Sequence, residues 1–585
     1  MRMLSFFALP LTAALAACEF AGQDAVSPPR DTLVGAEERR EAMIAAAHPL
    51  AVEAGLDAIR SGGSAVDAAI AVQAVLGLVE PQSSGIGGGA FMVHYDAQTQ
   101  TLTVYDGRET APAGITETLF LDEAGEPLSF MTAWQSGRST GVPGVIAMLA
   151  MAHEEHGALA WAHGFGAAER LAEEGFAVPP RLSQLAGRVA DYTAIDEREP
   201  SAQYLFTDAG EAVETGTVLT NPAYAQAMRL IGQDWRNFYT GEIAQGIVET
   251  AREAPLPGLI TLDDLESYEP VRREALCTPY RDVQICSAPP PASGGVAVGA
   301  IMAMLENFDM AAYGPDTATG WHLFIEASRL AYADRDRYVG DPAHADVPTQ
   351  GLLDEAYLNA RARLIAMDRA MESVSAGTPP GAPQAPEDAS DDAPGTSHFV
   401  IVDAEGDVVS MTTTVESAFG NNRMTPHGFF LNNQLTDFAF APRDEAGNLR
   451  PNAPAPGKRP RSSMSPTIVL DSEGKFLLAT GSPGGNSIIA YTAKSLVAML
   501  DWGLTPGQAA SLPNVVARGD SVAIETGFDE GLIEALREMG HGVEAGRGEN
   551  SGIHIARVSD GGYVGAADPR RDGVALGLGE DALEE

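Results

Sequence analysis

The sequence predicts an α+β fold, and three features of the chain lead to this prediction. Of the 585 residues, 45% are hydrophobic and 20% are charged, which is ordinary for a protein with a buried core. Alanine-rich stretches have the composition of helices. Paired runs of β-branched and aromatic residues, joined by turn residues, have the pattern of hairpins. The length suits about three or four domains, but it also suits one large layered unit.

Helices dominate the prediction for the first half of the chain. The alanine-rich stretch 38–60 should be helical, and Ser64 should cap a second helix that ends near Val79. A glycine-dense loop, 81–89, comes next, and a hairpin is predicted over 90–105. Beyond this hairpin, helical segments alternate with short loops.

A weakly apolar stretch divides the chain before residue 396. Residues 371–395 are rich in Pro, Ala, Asp and Gly, and they should be flexible because they have too little apolar content to pack. Hairpins are then predicted over 399–415 and 467–480, followed by a helix over 486–502. A flexible segment that leads straight into a core strand suits an internal self-cleavage site, but it also suits a simple linker.

The charge and the cysteines exclude some classes of function. With 37 basic and 80 acidic residues the formal net charge is −43, and such a surface repels nucleic acid and anionic lipid headgroups. No nucleic-acid partner is therefore predicted. Cys277 and Cys286 can form a disulfide in an exported protein, but a buried pair of thiols is equally compatible with the sequence. Two thiols without clustered histidines do not make a structural zinc site, and no metal site is predicted.

The N-terminus is interpreted as an export signal. An apolar run that is too short to span a bilayer ends in Leu-Ala-Ala-Cys, which resembles the bacterial lipobox, where Cys18 is lipidated. We therefore predict a lipoprotein signal over 1–17 and a tether over 18–36. The lipid would be the sole membrane attachment, on the periplasmic side, and Glu19 in place of aspartate favours the outer membrane. An ordinary cleaved signal with an incidental cysteine is the alternative.

Several short motifs occur in a fixed order on both sides of residue 396. Each is weakly specific by itself, but the series as a whole resembles the γ-glutamyltransferases over roughly residues 38–575. The upstream motifs are at 87–92, 105–109 and 289–295, and the downstream motifs are at 396–399, 432–438, 458–466, 480–485 and 567–573.

The resemblance implies an N-terminal-nucleophile hydrolase fold, in which two central sheets lie between helical layers as a four-layer αββα sandwich. It also implies autoproteolysis between Gly395 and Thr396. The products would be a large fragment, 37–395, and a small catalytic fragment, 396–585, which stay together as a heterodimer. Cleavage frees the α-amine of Thr396, whose near-neutral pKa lets it take the proton of the hydroxyl group beside it. No metal or organic cofactor is then needed.

The resemblance also assigns residues around the nucleophile. Thr414 matches a threonine that hydrogen-bonds to it. Gly484 and Gly485 match an oxyanion hole, in which each N–H group contributes about 3–4 kcal/mol. Glycines between a predicted strand and a predicted helix allow the tight turn that such a hole needs. His398 is close enough to the cut to assist processing, but a structural role is equally consistent with the sequence.

A γ-glutamyl donor carries an α-carboxylate and an α-ammonium group, so its site must present both signs of charge. Arg108 is the candidate for the carboxylate because a guanidinium group binds it bidentately, and Ser462 and Ser463 match serines that contact the same group. At position 416 many relatives carry asparagine, so the added charge could tighten ammonium binding or pair with Arg108 or Arg423. Three residues match positions that hold the ammonium group: Glu416, Gln434 and Asp437.

The stretch 438–461 corresponds to a loop that covers the site in some relatives and carries an aromatic gate. The aromatic residues of this stretch, Phe438 and Phe440, both lie near its start, so the gate residue is not predicted here. A weakly closed site favours water as the acceptor. We therefore expect hydrolysis at least as much as transfer to an amino acid or peptide.

The resemblance thus predicts a γ-glutamyl hydrolase and transferase that acts on glutathione and related amides through an ester of Thr396. A glutaryl acylase of the kind that acts on cephalosporin derivatives is one alternative on the same scaffold. Glutaryl groups lack the ammonium that Gln434 and Asp437 would hold, which argues against it. A lipoprotein without turnover, acting as a binding or scaffold protein, is the other alternative, and the intact set of site residues argues against it.

Overall fold

Two stacked β-sheets form the centre of the molecule, and helices cover the outer face of each sheet. The computed structural model describes residues 42–388, 390, 395–548 and 551–578. Apolar clusters fill three interfaces, one between the two sheets and one between each sheet and its helices. The layers therefore run helix, sheet, sheet, helix, which confirms the predicted α+β, four-layer sandwich.

Strands and helices alternate along the described residues. The strands are β1 (Met43–Ala46), β2 (Gly89–Asp96), β3 (Thr101–Gly107), β4 (Phe176–Ala177), β5 (Val218–Leu219), β6 (Val271–Glu274), β7 (Leu276–Tyr280), β8 (Val283–Ser287), β9 (Gly395–Val402), β10 (Val408–Glu416), β11 (Thr467–Leu470), β12 (Phe476–Gly481), β13 (Val515–Arg518), β14 (Ser521–Glu525), β15 (Gly542–Arg547), β16 (His554–Ser559), β17 (Gly562–Ala567) and β18 (Val574–Gly577).

Most of the helices lie in the chain between β3 and β6 or between β8 and β9. They are α1 (Pro49–Arg60), α2 (Ala65–Val79), α3 (Phe130–Trp134), α4 (Val145–His156), α5 (Gly166–Glu174), α6 (Pro180–Ala190), α7 (Ser201–Leu205), α8 (Pro222–Gln233), α9 (Gly241–Ala251), α10 (Leu262–Glu266), α11 (Gly294–Leu305), α12 (Met310–Tyr313), α13 (Ala318–Tyr338), α14 (Thr349–Leu352), α15 (Glu355–Ala362), α16 (Ile488–Leu500), α17 (Pro506–Ser511) and α18 (Glu530–Glu538).

The two large sheets draw their strands from both sides of the predicted cut. The first has the order β18-β1-β9-β10-β2-β3-β6, and the second has the order β17-β16-β12-β11-β8-β7. Neighbouring strands in both sheets are antiparallel. The sheets pack face to face through side chains such as Phe91 and Val400 from the first and Ile468 and Ala479 from the second.

The predicted hairpins are confirmed as β2–β3, β9–β10 and β11–β12. Ser64 caps α2 as predicted, through a reciprocal capping box with Asp67. The helix predicted over 486–502 is present as α16, which begins after a short 3-10 turn, Gly485–Ser487. Alternating apolar patterns and cap residues therefore located these elements to within a few residues.

The helix predicted over 38–60 is wrong in its first part. Residues Met43–Ala46 form β1, fully buried between β9 and β18. Helix α1 begins only at Pro49, and His48 caps it by accepting the Leu50 N–H at 3.2 Å. The alanine-rich composition suits a helix, but strand formation depends on the neighbouring strands, and here burial between two of them decides the outcome.

The structure describes most of the stretch 371–395, which the sequence predicts to be flexible. Up to residue 388 it has no helix or strand, but it is held by polar contacts. Arg361 donates to the Ser375 carbonyl at 2.9 Å, and the buried Asp388 carboxylate lies 3.3 Å from the Arg461 guanidinium group. Arginine contacts of this kind leave no apolar signature, so the composition did not reveal them.

The structure settles the state of the two cysteines but does not describe the N-terminal segment. Cys277 and Cys286 lie directly opposite each other on β7 and β8 and are joined by a disulfide. The signal over 1–17, the lipidation at Cys18 and the tether over 18–36 lie outside the described residues. Within the part of the chain that is described, no helix combines the length and the apolar character needed to cross a bilayer.

Candidate active site

A pocket lies where the start of β9 and the end of β10 meet the segments that flank β11 and β12. It draws on both large sheets and on the loop after β3. Of the predicted catalytic and substrate-binding residues, all but Gly484 and Gln434 line it. The lining residues are Arg108, Thr396, Thr414, Glu416, Asp437, Ser462, Ser463, Met464, Gly485 and Ile488.

Thr396, the second residue of β9, is buried beside Thr414 of β10. Their hydroxyl oxygens are 3.1 Å apart, and the Thr414 hydroxyl donates to the Gly395 carbonyl oxygen at 2.7 Å. The Glu416 N–H donates to the same Thr414 oxygen at 2.8 Å, which fixes its orientation. The carbonyl of the predicted scissile bond is therefore polarised by a hydroxyl that also contacts the predicted nucleophile.

The glycine turn after β12 has the conformation that the sequence required. Gly484 has φ 137° and Gly485 has φ 57°, values that favour glycine. A Cβ atom at Gly484 would also lie 2.5 Å from the Tyr491 ring. Gly485 lines the pocket and Gly484 lies immediately before it, so the turn carries backbone N–H groups to the edge of the pocket.

Arg108 follows β3 and is fully buried in a fixed orientation. Its Nη2 is paired with the Asp437 carboxylate and donates to the Arg461 carbonyl at 2.8 Å, while its Nε donates to the Pro460 carbonyl at 3.1 Å. Burial opposes its charge, but the surrounding carboxylates of Asp437, Glu109 and Glu416 raise its pKa above the usual value. The guanidinium group therefore stays charged at the pocket wall.

Glu416 contributes its charge to the same cluster. Gln434 donates from Nε2 to Glu416 Oε2 at 3.0 Å and to Asp437 Oδ2 at 2.7 Å, so the amide holds the two carboxylates together. Arg423 is turned away, because it donates to backbone carbonyls such as that of Gln135 at 2.6 Å. The alternative in which Glu416 pairs with Arg423 is therefore wrong, and its charge acts on the pocket and on Arg108.

Glu109, which the sequence argument did not single out, adds a third acidic group beside Arg108. Its Oε2 lies 3.7 Å from Arg108 Nη1, and the side chain is fully buried. Burial raises the pKa of Glu109 to about 8, although the Arg108 charge lowers it in part. At neutral pH the group is therefore largely protonated, and the Asp437 and Glu416 carboxylates remain beside Arg108 and raise its pKa.

The two serines are held by residues of the upstream half of the chain. Ser462 donates its N–H to the Pro291 carbonyl at 2.9 Å, and its own carbonyl accepts from the Ser293 hydroxyl at 2.7 Å. Ser463 accepts a hydrogen bond from Arg335 of α13 at 2.7 Å. Arg335 is a residue that the sequence argument missed, because a single arginine in a long helix has no distinctive spacing.

The stretch 438–461 forms a tied loop without an aromatic gate at the pocket. Phe438 is buried in a small apolar cluster, and Phe440 stacks on Phe120 with ring centroids 4.6 Å apart. At the other end of the loop, Lys458 donates to the Pro451 carbonyl at 2.6 Å. The aromatic rings are thus used in packing, and neither of them lines the pocket.

His398 has the environment of a structural residue. Its Nδ1 lies 2.9 Å from Thr412 Oγ1, and a Cβ atom added to Gly481 would collide with its ring. Burial and the neighbouring His554 hold the pKa of His398 well below its usual range, so it is neutral. It does not line the pocket, which disfavours a direct part in processing. No cluster of three or more metal-ligating side chains occurs among the described residues.

A buried threonine hydroxyl at the start of a central strand, in a four-layer sandwich, defines a hydrolase of the N-terminal-nucleophile class. A family model for gamma-glutamyltranspeptidase matches residues 51–578. The chain belongs to this family.

Relatives and solved structures agree with this assignment. The chain is 34% identical to the glutathione hydrolase proenzyme of Bacillus subtilis (strain 168), over 97% of this chain and 98% of that protein. It is also 34% identical to the glutathione hydrolase proenzyme of Escherichia coli (strain K12), over 91% and 90%. The crystal structure of a cephalosporin acylase from Bacillus halodurans superimposes with a TM-score of 0.83 at 26% identity, over 95% of this chain and 99% of that one.

Proposed function

We propose that this protein is an autoprocessed γ-glutamyl hydrolase and transferase that acts on γ-glutamyl amides such as glutathione. One observation carries the proposal. A single pocket holds the Thr396 hydroxyl at one side and, at the other, Arg108 opposed by Asp437 and Glu416. A small donor with a carboxylate, an ammonium group and an amide needs this combination of groups.

The maturation step begins with the Thr396 hydroxyl, whose oxygen attacks the Gly395 carbonyl carbon. Thr414 already donates to the carbonyl oxygen at 2.7 Å and so stabilises the negative charge that develops there. The peptide nitrogen of Thr396 leaves with a proton, which gives an ester between Gly395 and the Thr396 side chain. Water then opens the ester, so that Thr396 regains its hydroxyl and keeps a free α-amine. The products are the fragments ending at Gly395 and beginning at Thr396.

In turnover, the free α-amine of Thr396 takes the hydroxyl proton while the oxygen attacks the γ-carbonyl of the donor. The N–H groups at Gly484 and Gly485 face the resulting oxyanion. The leaving amine takes the proton and departs, and a γ-glutamyl ester of Thr396 remains. Water, or the amine of an amino acid or peptide, then removes the ester by the same steps in reverse.

Different residues would bind the negatively and the positively charged group of the donor. The α-carboxylate of the donor would be held by Arg108 with the hydroxyl groups of Ser462 and Ser463. The α-ammonium group would lie against Asp437 and Glu416. These two carboxylates line the pocket and supply negative charge that an ammonium group would neutralise.

The acceptor preference follows from the loop over 438–461. Its aromatic side chains pack at Phe120 and do not close over the pocket. We therefore propose that water reaches the ester at least as readily as an amine, and that hydrolysis equals or exceeds transfer.

A glutaryl acylase is the second candidate, favoured by the similarity to the cephalosporin acylase from Bacillus halodurans. A glutaryl group has no ammonium group to place against the buried carboxylates of Asp437 and Glu416, which favours the γ-glutamyl donor.

The proposed function is tested with purified protein and two chromogenic donors. N-terminal sequencing of the smaller fragment should give a chain that begins at Thr396, and γ-glutamyl-p-nitroanilide should be hydrolysed faster than glutaryl-p-nitroanilide. Thr396→Ala should stay uncut and inactive, whereas Thr396→Ser, which keeps a hydroxyl, should retain both properties in part. One continuous chain with full activity, or preference for the glutaryl donor, would overturn the proposal.

We also propose that the protein is exported and lipid-anchored at Cys18, on the basis of the lipobox-like sequence. The anchor would hold the enzyme on the periplasmic side, where γ-glutamyl amides outside the cytoplasm are accessible. Cys18→Ala should release the protein from washed membranes into the soluble fraction, and membrane retention of that variant would contradict the assignment.

A further inference from the structure

Arg335 lies behind the two serines of the pocket and is completely buried. It is carried by α13, and each nitrogen of its guanidinium group donates a hydrogen bond. Nε donates to the Ser293 hydroxyl at 3.0 Å, Nη1 to the Asp336 carboxylate at 2.8 Å and Nη2 to the Ser463 hydroxyl at 2.7 Å. Two of these three bonds lead toward the proposed donor-carboxylate site.

The bond from Arg335 decides what the Ser463 hydroxyl can do. A guanidinium group has only donors, so Ser463 Oγ must accept from it, and the single hydroxyl proton must point elsewhere. The Asn486 amide oxygen is 3.4 Å from Ser463 Oγ, which is a long contact for a hydroxyl donor. Ser463 lines the pocket. A carboxylate bound there is a stronger acceptor for this proton than the Asn486 amide oxygen.

The hydrogen bond from Arg335 to Ser293 also helps to fix the position of Ser462. Ser293 accepts from Arg335 and donates its own hydroxyl proton to the Ser462 carbonyl at 2.7 Å, and its N–H donates to that carbonyl at 2.6 Å. The backbone that carries both serines is therefore held against one guanidinium group. Arg335 and Ser293 belong to the upstream half of the chain, and the serines belong to the downstream half.

Asp336 lies behind the serines and fixes the orientation of Arg335. Burial alone would raise the pKa of Asp336, but the guanidinium groups of Arg335, Arg518 and Arg461 lower it below its usual value. Asp336 is thus ionised, and it accepts a charge-assisted hydrogen bond from Arg335 Nη1 at 2.8 Å.

We propose that Arg335 is a positioning residue that reserves the Ser463 hydroxyl proton for the α-carboxylate of the donor. The inference rests on the proposed function, because it assigns a group to the carboxylate end of the same pocket. Arg335 does not touch the donor; it acts through Ser463 and Ser293.

The kinetic test compares Arg335→Gln with the wild type on two donors, γ-glutamyl-p-nitroanilide and 4-aminobutyryl-p-nitroanilide, which lacks the α-carboxylate. The variant should raise KM for the γ-glutamyl donor by about tenfold, with kcat within about twofold. KM for the second donor should change little. In a Ser463→Ala background, Arg335→Gln should add much less loss than it causes in the wild type, because most of its effect runs through that hydroxyl.

The matched control is Arg337→Gln, on the same helix, since Arg337 donates to the Ala385 carbonyl and not to the serines. It should leave both KM values unchanged. Equal losses on both donors, or additive losses in the Ser463→Ala background, would overturn the proposal. If Arg335→Gln does not fold or cleave, Arg335→Lys replaces it, with the same expected dependence on the donor carboxylate.

Ligand binding separates failure of this inference from failure of the proposed function. L-Glutamate should raise the melting temperature of the wild type more than 4-aminobutyrate does, and Arg335→Gln should remove that difference. A wild type that binds L-glutamate in this way but hydrolyses no γ-glutamyl amide would contradict the proposed function alone. A difference between the two ligands that persists in the variant would contradict the role of Arg335 alone.

Discussion

The two ends of the pocket are built from different kinds of interaction. At the nucleophile end, Thr396, Thr414 and the turn at Gly484 present neutral hydroxyl and backbone groups, which are fixed by strands and a tight turn. At the donor end, Arg108 and Asp437 are buried charges that hold each other in place. The comparison suggests that the first end depends on geometry, whereas the second depends on charge balance.

The two ends also differ in which part of the chain supplies them. The nucleophile end comes entirely from the downstream fragment, from Thr396 onward. The donor end joins Arg108 and Arg335 of the upstream fragment to carboxylates and serines of the downstream one. If the chain is cut after Gly395 as proposed, the two fragments must therefore stay together to keep the proposed donor site.

The largest effect is expected where one hydroxyl group is removed from the nucleophile end of the pocket. Thr414→Val keeps the shape of the side chain but removes the hydrogen bond to the Gly395 carbonyl, which is 2.7 Å long. Loss of such a donor typically slows a reaction by about 100- to 1,000-fold. Self-cleavage of the precursor should slow by that factor, as measured by gel analysis of precursor and fragments over time.

The neighbouring Thr413 provides the control for this substitution. Its buried hydroxyl has no hydrogen-bond partner in the part of the chain that the structure describes, so Thr413→Val should leave the rate of cleavage unchanged. Thr414→Ser should restore most of the rate. A normal cleavage rate in Thr414→Val would mean that self-cleavage does not depend on the Thr414 hydroxyl group.

The nucleophile end is also the part of the site that the sequence predicted best. Glycines at 484 and 485 between a strand and a helix predict a tight turn, and the structure has it with positive φ values at both. The hairpin β9–β10 was readable from β-type runs, and it alone sets Thr396 beside Thr414. Short-range patterns locate these groups because neighbouring strands position them.

The donor end and strand β1 were harder to predict, because distant residues determine them. Arg335 lies 128 residues before Ser463 in the chain, and no spacing in α13 marks it. Likewise, β1 is a strand only because β9 and β18 lie on either side of it. The charge state of Glu109 depends on complete burial, which appears only when the layers are packed.

A smaller effect is expected from Glu416→Asn, which changes the charge balance of the donor end. Glu416 has φ 80°, and asparagine tolerates this region better than glutamate, so the backbone should not be disturbed. The variant loses one of two carboxylates that face the donor ammonium group. The ratio of kcat/KM for γ-glutamyl- to glutaryl-p-nitroanilide should fall by about tenfold.

Glu416→Gln, which removes the charge but keeps the length of the side chain, should shift the ratio in the same direction. An exposed acid, Glu473, provides the control through Glu473→Gln, which should change nothing. An unchanged ratio in both position-416 variants would show that this carboxylate serves only to balance Arg108 and does not distinguish donors.

The smallest effect is expected from the protonation of Glu109. Burial, the largest influence, raises its pKa to about 8 from the value of 4.5 expected in the unfolded chain. Between these two values the folded protein holds a proton that the unfolded chain releases, so this group lowers the free energy of unfolding as pH rises. Above pH 8 the ionised carboxylate also competes with the donor for Arg108, 3.7 Å away.

Glu109→Gln removes this titration while keeping a neutral side chain of similar size. Its melting temperature should fall less than that of the wild type between pH 5 and about pH 8. The ratio of wild-type to variant KM for γ-glutamyl-p-nitroanilide should rise by about two- to threefold between about pH 7 and 9, since ionisation of the donor and of the Thr396 amine is common to both proteins. Parallel pH profiles for the two proteins would mean that Glu109 keeps one charge state throughout. The donor end would then be balanced by Asp437 and Glu416 alone.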